Sequence, residues 1–241
     1  GGETKTTNIL DQKPSLDLKD DLENELHKIK EGKRSNGRKR WRLEEYLGGR
    51  QGKSAVYKAK DSSLGHIALK FIAVHNEKAR GRFIREVKML ARVAHPNVVV
   101  CKRDEPLTLT KNNDIMVAIL EYIPNKTVDQ LIKESGSLGE NVVIKMAIDV
   151  LRGLEHVHEK NVIHKDIKCA NILCGSNEFK IADFGISVME ESAQSELGGT
   201  LFTTSVHNDP IGTPHYMSLE QHLRETLDFR TDLYSLGVVM Y

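Results

Sequence analysis

The sequence predicts an α+β fold, with strands gathered in its first half and helices in its second. Three observations carry this. Apolar runs of strand length span 67–74 and 115–123, and a Gly-rich turn joins two strand-like segments across 41–60. Later, Ile144, Ala147, Ile148, Leu151, Leu154 and Val157 recur at helical spacing within 141–159. Finally, 241 residues at 39% hydrophobic and 29% charged suit one large soluble domain or two lobes.

Composition also excludes function classes. A formal net charge of +1 provides no global field toward nucleic acid or a membrane surface, so neither is expected as a partner. Cys101, Cys169 and Cys174 are odd in number and follow no framework spacing. That fits a reducing compartment, the cytoplasm with the nucleus as the alternative. No apolar run reaches the length of a membrane span, and no signal-peptide core opens the chain. The chain starts at Gly1-Gly2 and stops at Tyr241 inside an apolar periodic run, so both ends are expected to be cut.

Residues 1–40 read as a polar, basic and mobile extension. Within it, Ser15 can cap a helix through Ile29, with Leu18, Leu22, Leu26 and Ile29 on one side and Gly32 as its stop. One thin stripe over so few turns is marginal without a docking surface. The basic cluster Lys33, Arg34, Arg38, Lys39 and Arg40 reads as a solvated linker rather than an import signal. Across 41–60, the run GGRQGKS invites a nucleotide-binding Walker A reading. That motif would need glycine where Leu47 stands.

Lys70 lies in the middle of the 67–74 strand, on the face of Ala68 and Ile72. A buried ammonium is costly unless paired. The next segment, 80–91, has a helical apolar face of Phe83, Val87 and Leu90, and Glu86 shares it. Each buried charge therefore meets the other's need. The run His95-Pro96-Asn97-Val98-Val99 ends that helix and opens another strand, and Pro124-Asn125 closes the 115–123 strand. The sequon at Asn125 is inert in a reducing compartment. His156, His158 and His164 suggest zinc, but no fourth ligand accompanies them, so they read as core histidines.

The chemistry concentrates in 162–185. Asp166, Lys168, Asn171 and Asp183 sit between short apolar runs at 162–163, 172–173 and 179–181, with a turn at 175–177. Two carboxylates, an amide and an ammonium on adjacent loops can hold a divalent metal and phosphate oxygens. Mg²⁺ takes one or two carboxylate oxygens together with substrate phosphates.

At His164-Lys165-Asp166-Ile167-Lys168-Cys169-Ala170-Asn171 and Asp183-Phe184-Gly185 the chain resembles the catalytic and metal-binding loops of eukaryotic-type protein kinases. Lys165 replaces the usual Arg, and Cys169 a common Pro. The run from Gly212 to Glu220 resembles the kinase G-T-P-x-Y-M-A-P-E segment, with Ser218-Leu219 for Ala-Pro, and 232–237 resembles the start of the buried helix behind it. The resemblance covers 41–241 and implies a two-lobe kinase-like fold. Its β-rich N-lobe would span 41–123 and its mostly α C-lobe 124–241. The C-lobe would be incomplete and would lack the Arg expected to pair with Glu220.

The resemblance implies a serine/threonine protein kinase using ATP and Mg²⁺ on protein substrates, with an upstream activating kinase as a further candidate partner. Asp166 would accept or orient the substrate proton and Lys168 would neutralise the γ-phosphate. Lys70 would bind the α/β-phosphates with Glu86 holding it, and Asn171 and Asp183 would hold the metal. The implied cofactor-binding set is Leu47, Gly49, Gly52, Val56, Ala68, Lys70, Glu121, Ile123 and Leu173, with backbone groups of Glu121 and Ile123 on adenine beside Leu120. The Gly-rich loop fits poorly, with Gln51 and Ser54 at two of the glycine positions. That departure keeps open a pseudokinase scaffold, which binds nucleotide or partners without efficient catalysis. A small-molecule phosphotransferase would need neither Lys168 nor the 212–220 run. Within the long polar stretch 190–210, Asp209 stands where an activating phosphate is common. Two readings stand: Asp209-Pro210 is only a turn, or Asp209 faces Lys165 and Arg82 as an acidic clamp, with Thr203, Thr204 and Ser205 as further phosphorylation sites.

Overall fold

The computed structural model describes residues 31–33, 39–50, 54–74, 76–108, 115–124, 126–184, 188–189 and 213–241. The expected helix at 15–29, Arg34, Arg38, Gln51, Gly52, Asn125, Gly185 and all of 190–212, with Thr203, Thr204, Ser205, Asp209 and Gly212, lie outside them.

The strands are β1 (Glu31–Lys33), β2 (Lys39–Arg50), β3 (Ser54–Asp61), β4 (Gly65–Ala73), β5 (Leu107–Thr108), β6 (Ile115–Glu121), β7 (Val162–Ile163), β8 (Ile172–Cys174), β9 (Phe179–Ile181) and β10 (Val188–Met189). The helices are α1 (Glu77–Arg92), α2 (Val128–Ser135), α3 (Glu140–His158), α4 (Leu219–Leu223) and α5 (Arg230–Met240). Short 3₁₀ turns span Cys169–Asn171 and Pro214–Tyr216. The chain divides into two compact units, one within 1–74 and 108–117, the other within 75–107 and 118–241.

A six-stranded sheet runs in the order β1-β2-β3-β4-β6-β5, and within the first unit β1–β2, β2–β3 and β3–β4 pair antiparallel. Its first strand, β1, pairs with β2, so strand structure begins inside the stretch read as a linker. The β3–β4 hairpin turns on Asp61, whose Oδ1 accepts from Ser63 N, Ser63 Oγ and Leu64 N at 2.7, 2.8 and 3.0 Å. Gly65, at φ +73°, supplies the left-handed position that follows. Residues 67–71 of β4 are buried on both faces, and Tyr57 sets its ring edge-on to Tyr46 and Phe71.

In the second unit Asn76 caps α1, its Oδ1 accepting from Ala79 N at 2.8 Å. Phe83, Glu86, Val87, Met89 and Leu90 are the buried residues of α1. Thr127 and Gln130 close a capping box on α2, a helix the hydropathy pattern did not signal. Residues 97–99 run beside β9: Ile181 N donates to Asn97 O at 2.9 Å and Val99 N to Ile181 O at 2.8 Å. The strand expected at 98–99 is thus a single bridge, Val98 to Ile181.

Helix α3 departs from its expected face. Ala147, Leu154 and Val157 are buried as predicted, but the burying side is completed by Met146, Val150 and Gly153. Ile144, Ile148 and Leu151 stand exposed. Among the described residues no helix is long and apolar enough to cross a membrane, and no group of three or more His, Cys, Asp or Glu is placed to hold a metal ion.

Candidate active site

The loop between β7 and β8 carries Asp166, and α5 supports it from below. Asp232, at the start of α5, is fully buried. Its Oδ2 accepts from His164 N and its Oδ1 from Lys165 N, both at 2.8 Å, while His158 Nε2 lies 2.8 Å from Oδ2. A carboxylate buried this deeply is tolerated because donors surround it. Lys165 is left-handed at φ +68°, a conformation costing on the order of 1–3 kcal/mol for a residue with a side chain. The hydrogen bonds on both sides hold it there.

His164 links this loop to the next. Asp166 N donates to Nδ1 at 3.2 Å, and Nε2 lies 3.1 Å from Ala182 O. A backbone N–H donating to Nδ1 and a carbonyl facing Nε2 select the tautomer with the proton on Nε2. Phe184 packs edge-on against the same ring, with centroids 4.5 Å apart. Asp183, at φ +60°, therefore sits between two anchored neighbours. Ala182 N also donates to Asn171 O at 2.9 Å, which brings Asp183 beside Asn171 across the β8–β9 pair.

Asp166 is the centre of a closed polar set. Its Oδ1 accepts from Thr213 Oγ1 at 3.0 Å, and its Oδ2 accepts from Lys168 Nζ at 2.8 Å and Asn171 Nδ2 at 3.1 Å. Lys168 Nζ also donates to Thr213 Oγ1 at 2.7 Å. Asn171 Nδ2 makes a second bond to Asp166 O at 2.8 Å. Both partners of that nitrogen are acceptors, so the amide orientation is determined and Oδ1 faces away from Asp166. Nearby, burial and then a hydrogen bond with Cys169 push the Tyr216 phenol up to about 12.

The remaining predicted residues are placed as follows. In the first unit Val56 pairs directly with Lys70 across β3–β4, and Lys58 with Ala68. Lys70 is 7% exposed, while Leu47 and Gly49 are exposed. A side chain at Gly49 would run into the Ser54 carbonyl, so glycine is required there by the hairpin itself. In the second unit Glu86 is buried on α1, also at 7%. Glu121 N donates to Val100 O at 2.9 Å, and Glu121 Oε1 accepts from Val100 N at 2.7 Å. Lys180 Nζ binds both Glu121 oxygens at 3.1 and 3.2 Å. Ile123 and Leu173 are half-buried, and Leu173 bridges to Thr127.

Two residues of this site carry no weight in the sequence reading beyond their motifs. Asp232 is one; a carboxylate on an otherwise buried helix needed donors, and that cost was its signal. Gln221 is the other, and its Nε2 donates to Lys165 O at 3.0 Å. Its spacing from Ser218 is the S-x-x-Q signature of a capping box, which signals a helix start but not the contact with Lys165.

Comparison with known proteins agrees with this geometry. Residues 42–241 match the family described as protein kinase domain. A protein named probable serine/threonine-protein kinase from Clostridium perfringens is 36% identical over 198 residues, covering 80% of this chain and 27% of that protein. Serine/threonine-protein kinase PknB of Mycolicibacterium smegmatis is 32% identical over 207 residues, 84% of this chain and 32% of its own. PrkC of Bacillus subtilis is 30% identical over 217 residues, 87% and 31%. The chain thus spans less than a third of the length of these relatives. With 200 residues matched from 42 to 241 and the catalytic loop built around Asp166, the chain belongs to the protein kinase domain family.

Proposed function

We propose that this domain transfers the γ-phosphate of ATP to serine or threonine hydroxyls of protein substrates. The observation that carries the reading is the closed set of Asp166, Lys168 and Thr213. Its carboxylate and ammonium lie 2.8 Å apart beside a hydroxyl-bearing segment. Asp166 would orient the acceptor hydroxyl and take up its proton, and Lys168 would offset charge on the phosphate in flight. General-base help of this kind is worth about 10²–10⁴-fold, so positioning must supply the rest.

The donor set suits a hard cation. Asn171 Oδ1 and the Asp183 carboxylate are oxygen ligands, the number and type Mg²⁺ takes when phosphates complete its shell. Bound there, Mg²⁺ would neutralise phosphate charge. We assign Lys70 to the ATP phosphates and Glu86 as its counter-charge; each is buried, and a buried charge is costly unless paired. Backbone groups of Glu121 and Ile123 would hold adenine, and Leu47, Gly49, Val56, Ala68 and Leu173 complete the nucleotide set, with Gly52 assigned from the motif alone. Three cysteines at no framework spacing favour a cytoplasmic setting, with the nucleus as the alternative. Protein substrates and an upstream activating kinase are the partners.

The test is Mg²⁺-dependent phosphate transfer from ATP to protein by the full-length protein and by Asp166→Asn. The variant should bind nucleotide like the wild type and lose transfer by about 10²-fold or more. A wild type that binds nucleotide and transfers nothing would be a scaffold. Equal turnover by both proteins would remove Asp166 from the chemistry.

A further inference from the structure

We propose that Gln221 is a positioning residue that sets the direction of the Asp166 carboxylate by clamping the peptide between Lys165 and Asp166. The inference rests on the reading of Asp166 as the residue that meets the acceptor hydroxyl. That peptide unit is held at both edges. Its N–H donates to His164 Nδ1 at 3.2 Å, and its carbonyl accepts from Gln221 Nε2 at 3.0 Å. The C=O and N–H of a trans peptide point in opposite directions, so two bonds on opposite edges fix the plane. The bonds of Lys165 N to Asp232 and of Asp166 O to Asn171 act on the two neighbouring peptides, so without the Gln221 bond this plane gains a small tilt that shifts the Asp166 side chain against its partners.

The carboxamide of Gln221 is itself locked. Its Oε1 accepts from Thr231 Oγ1 at 3.0 Å and from Ser218 N at 3.1 Å. Ser218 Oγ lies 3.5 Å from the same oxygen and 2.6 Å from Thr231 Oγ1. A backbone N–H can only donate and a carbonyl can only accept, so these partners leave one orientation for the amide. Gln221, Ser218, Thr231 and Lys165 are all buried, at 8%, 0%, 0% and 4% exposure, which shields the set from competing water.

The anchors come from three places: the run leading into α4, the start of α5, and the loop of Asp166. Gln221 therefore transmits the seating of the 213–220 segment to the catalytic loop. It touches no reacting atom, and Lys168 and Asn171 keep their own bonds without it. Its loss should slow the chemical step and leave nucleotide binding alone.

The experiment is steady-state kinetics on the full-length protein, with rates normalised to nucleotide-binding stoichiometry so that misfolded material does not count. Gln221→Met keeps the length and removes every polar contact. Gln221→Glu keeps acceptors for Ser218 and Thr231 and sets an acceptor in place of the donor to Lys165, and it carries the test should the Met variant fail to bind nucleotide. Both should lower kcat roughly 10- to 100-fold, the scale of a small displacement of a reacting group, with KM for ATP and for peptide within about twofold. An unchanged kcat per binding site, or a loss seen only as a raised peptide KM, overturns the proposal while Asp166→Asn still abolishes transfer. Should Asp166→Asn transfer like the wild type, the kinase reading fails and takes this inference with it.

Discussion

Thr213 Oγ1 donates to Asp166 Oδ1 at 3.0 Å and accepts from Lys168 Nζ at 2.7 Å, so one hydroxyl joins both charged members of the catalytic loop. Thr213 lies 47 residues after Asp166 in the chain. It is thus one point, with Gln221 another, where the segment from Thr213 onward meets the loop. A hydrogen bond to a charged group contributes about 1.5–3 kcal/mol. Thr213→Val should accordingly lower the transfer rate by about tenfold or more, and Thr213→Ser should retain most of it. Rates for the two variants that match each other would assign Thr213 no polar role.

Asp232 makes a prediction about stability rather than rate. Three donors converge on its buried carboxylate, two of them backbone N–H groups of His164 and Lys165. Asp232→Ala would leave those donors buried and unpaired, at about 1–3 kcal/mol for each donor left unsatisfied. Asp232→Asn should lose less, because its oxygen can serve one or two of the three. Urea unfolding midpoints measure both, and an Ala variant as stable as the Asn variant would contradict this account.

The contrast between loop and helix explains what was legible in the sequence. Asp166, Lys168, Asn171 and Asp183 could be read because chemistry demands those residue types, and short strands bracket them at fixed spacing. The α3 face could be read only in part. Periodicity shows that apolar residues recur at 3.6; it does not say which of two apolar stripes meets the core. Gly153 faces in against Asn97 and Ile181, and Met146 and Val150 are buried on the same side. Ile144 and Ile148 were equally apolar and face out. For Gln221 the capping-box spacing from Ser218 was legible, but its partners Lys165 and Thr231 lie 56 and 10 residues away and only the fold gathers them.

Gly153 tests the same packing. A Cβ there would sit 2.8 Å from Asn97 O and 3.0 Å from Ile181 Cδ1. The isoleucine methyl can shift, but the backbone oxygen is tied by Ile181 N and cannot easily retreat. Alanine is the better helix former by about 1 kcal/mol. Overpacking costs about 1–3 kcal/mol, so the clash should outweigh the propensity. Gly153→Ala is expected to lower the melting temperature. A rise would mean that α3 can slide away from residues 97–99.

His95 gives a pH dependence whose sign follows from its surroundings. Its Nδ1 accepts from Asn97 N at 3.1 Å, and its ring stacks on His156 with centroids 5.0 Å apart. Burial holds its pKa below the ordinary 6.5, followed by His156, Lys180 and Arg152, with Glu155 opposing them. The native imidazole therefore binds a proton less readily than the unfolded one. Between 6.5 and the lowered native value the unfolded chain holds more protons, so native stability falls as pH falls through that window and is complete above it. His95→Asn keeps an acceptor within reach of Asn97 N and removes the titration. Groups away from this pair are common to both proteins, so the difference between them reports on His95 and its stacked neighbour His156. Urea midpoints at pH 7.5 and 5.5 should drop further for the wild type than for His95→Asn. Parallel drops would show that His95 titrates alike in the folded and unfolded chains.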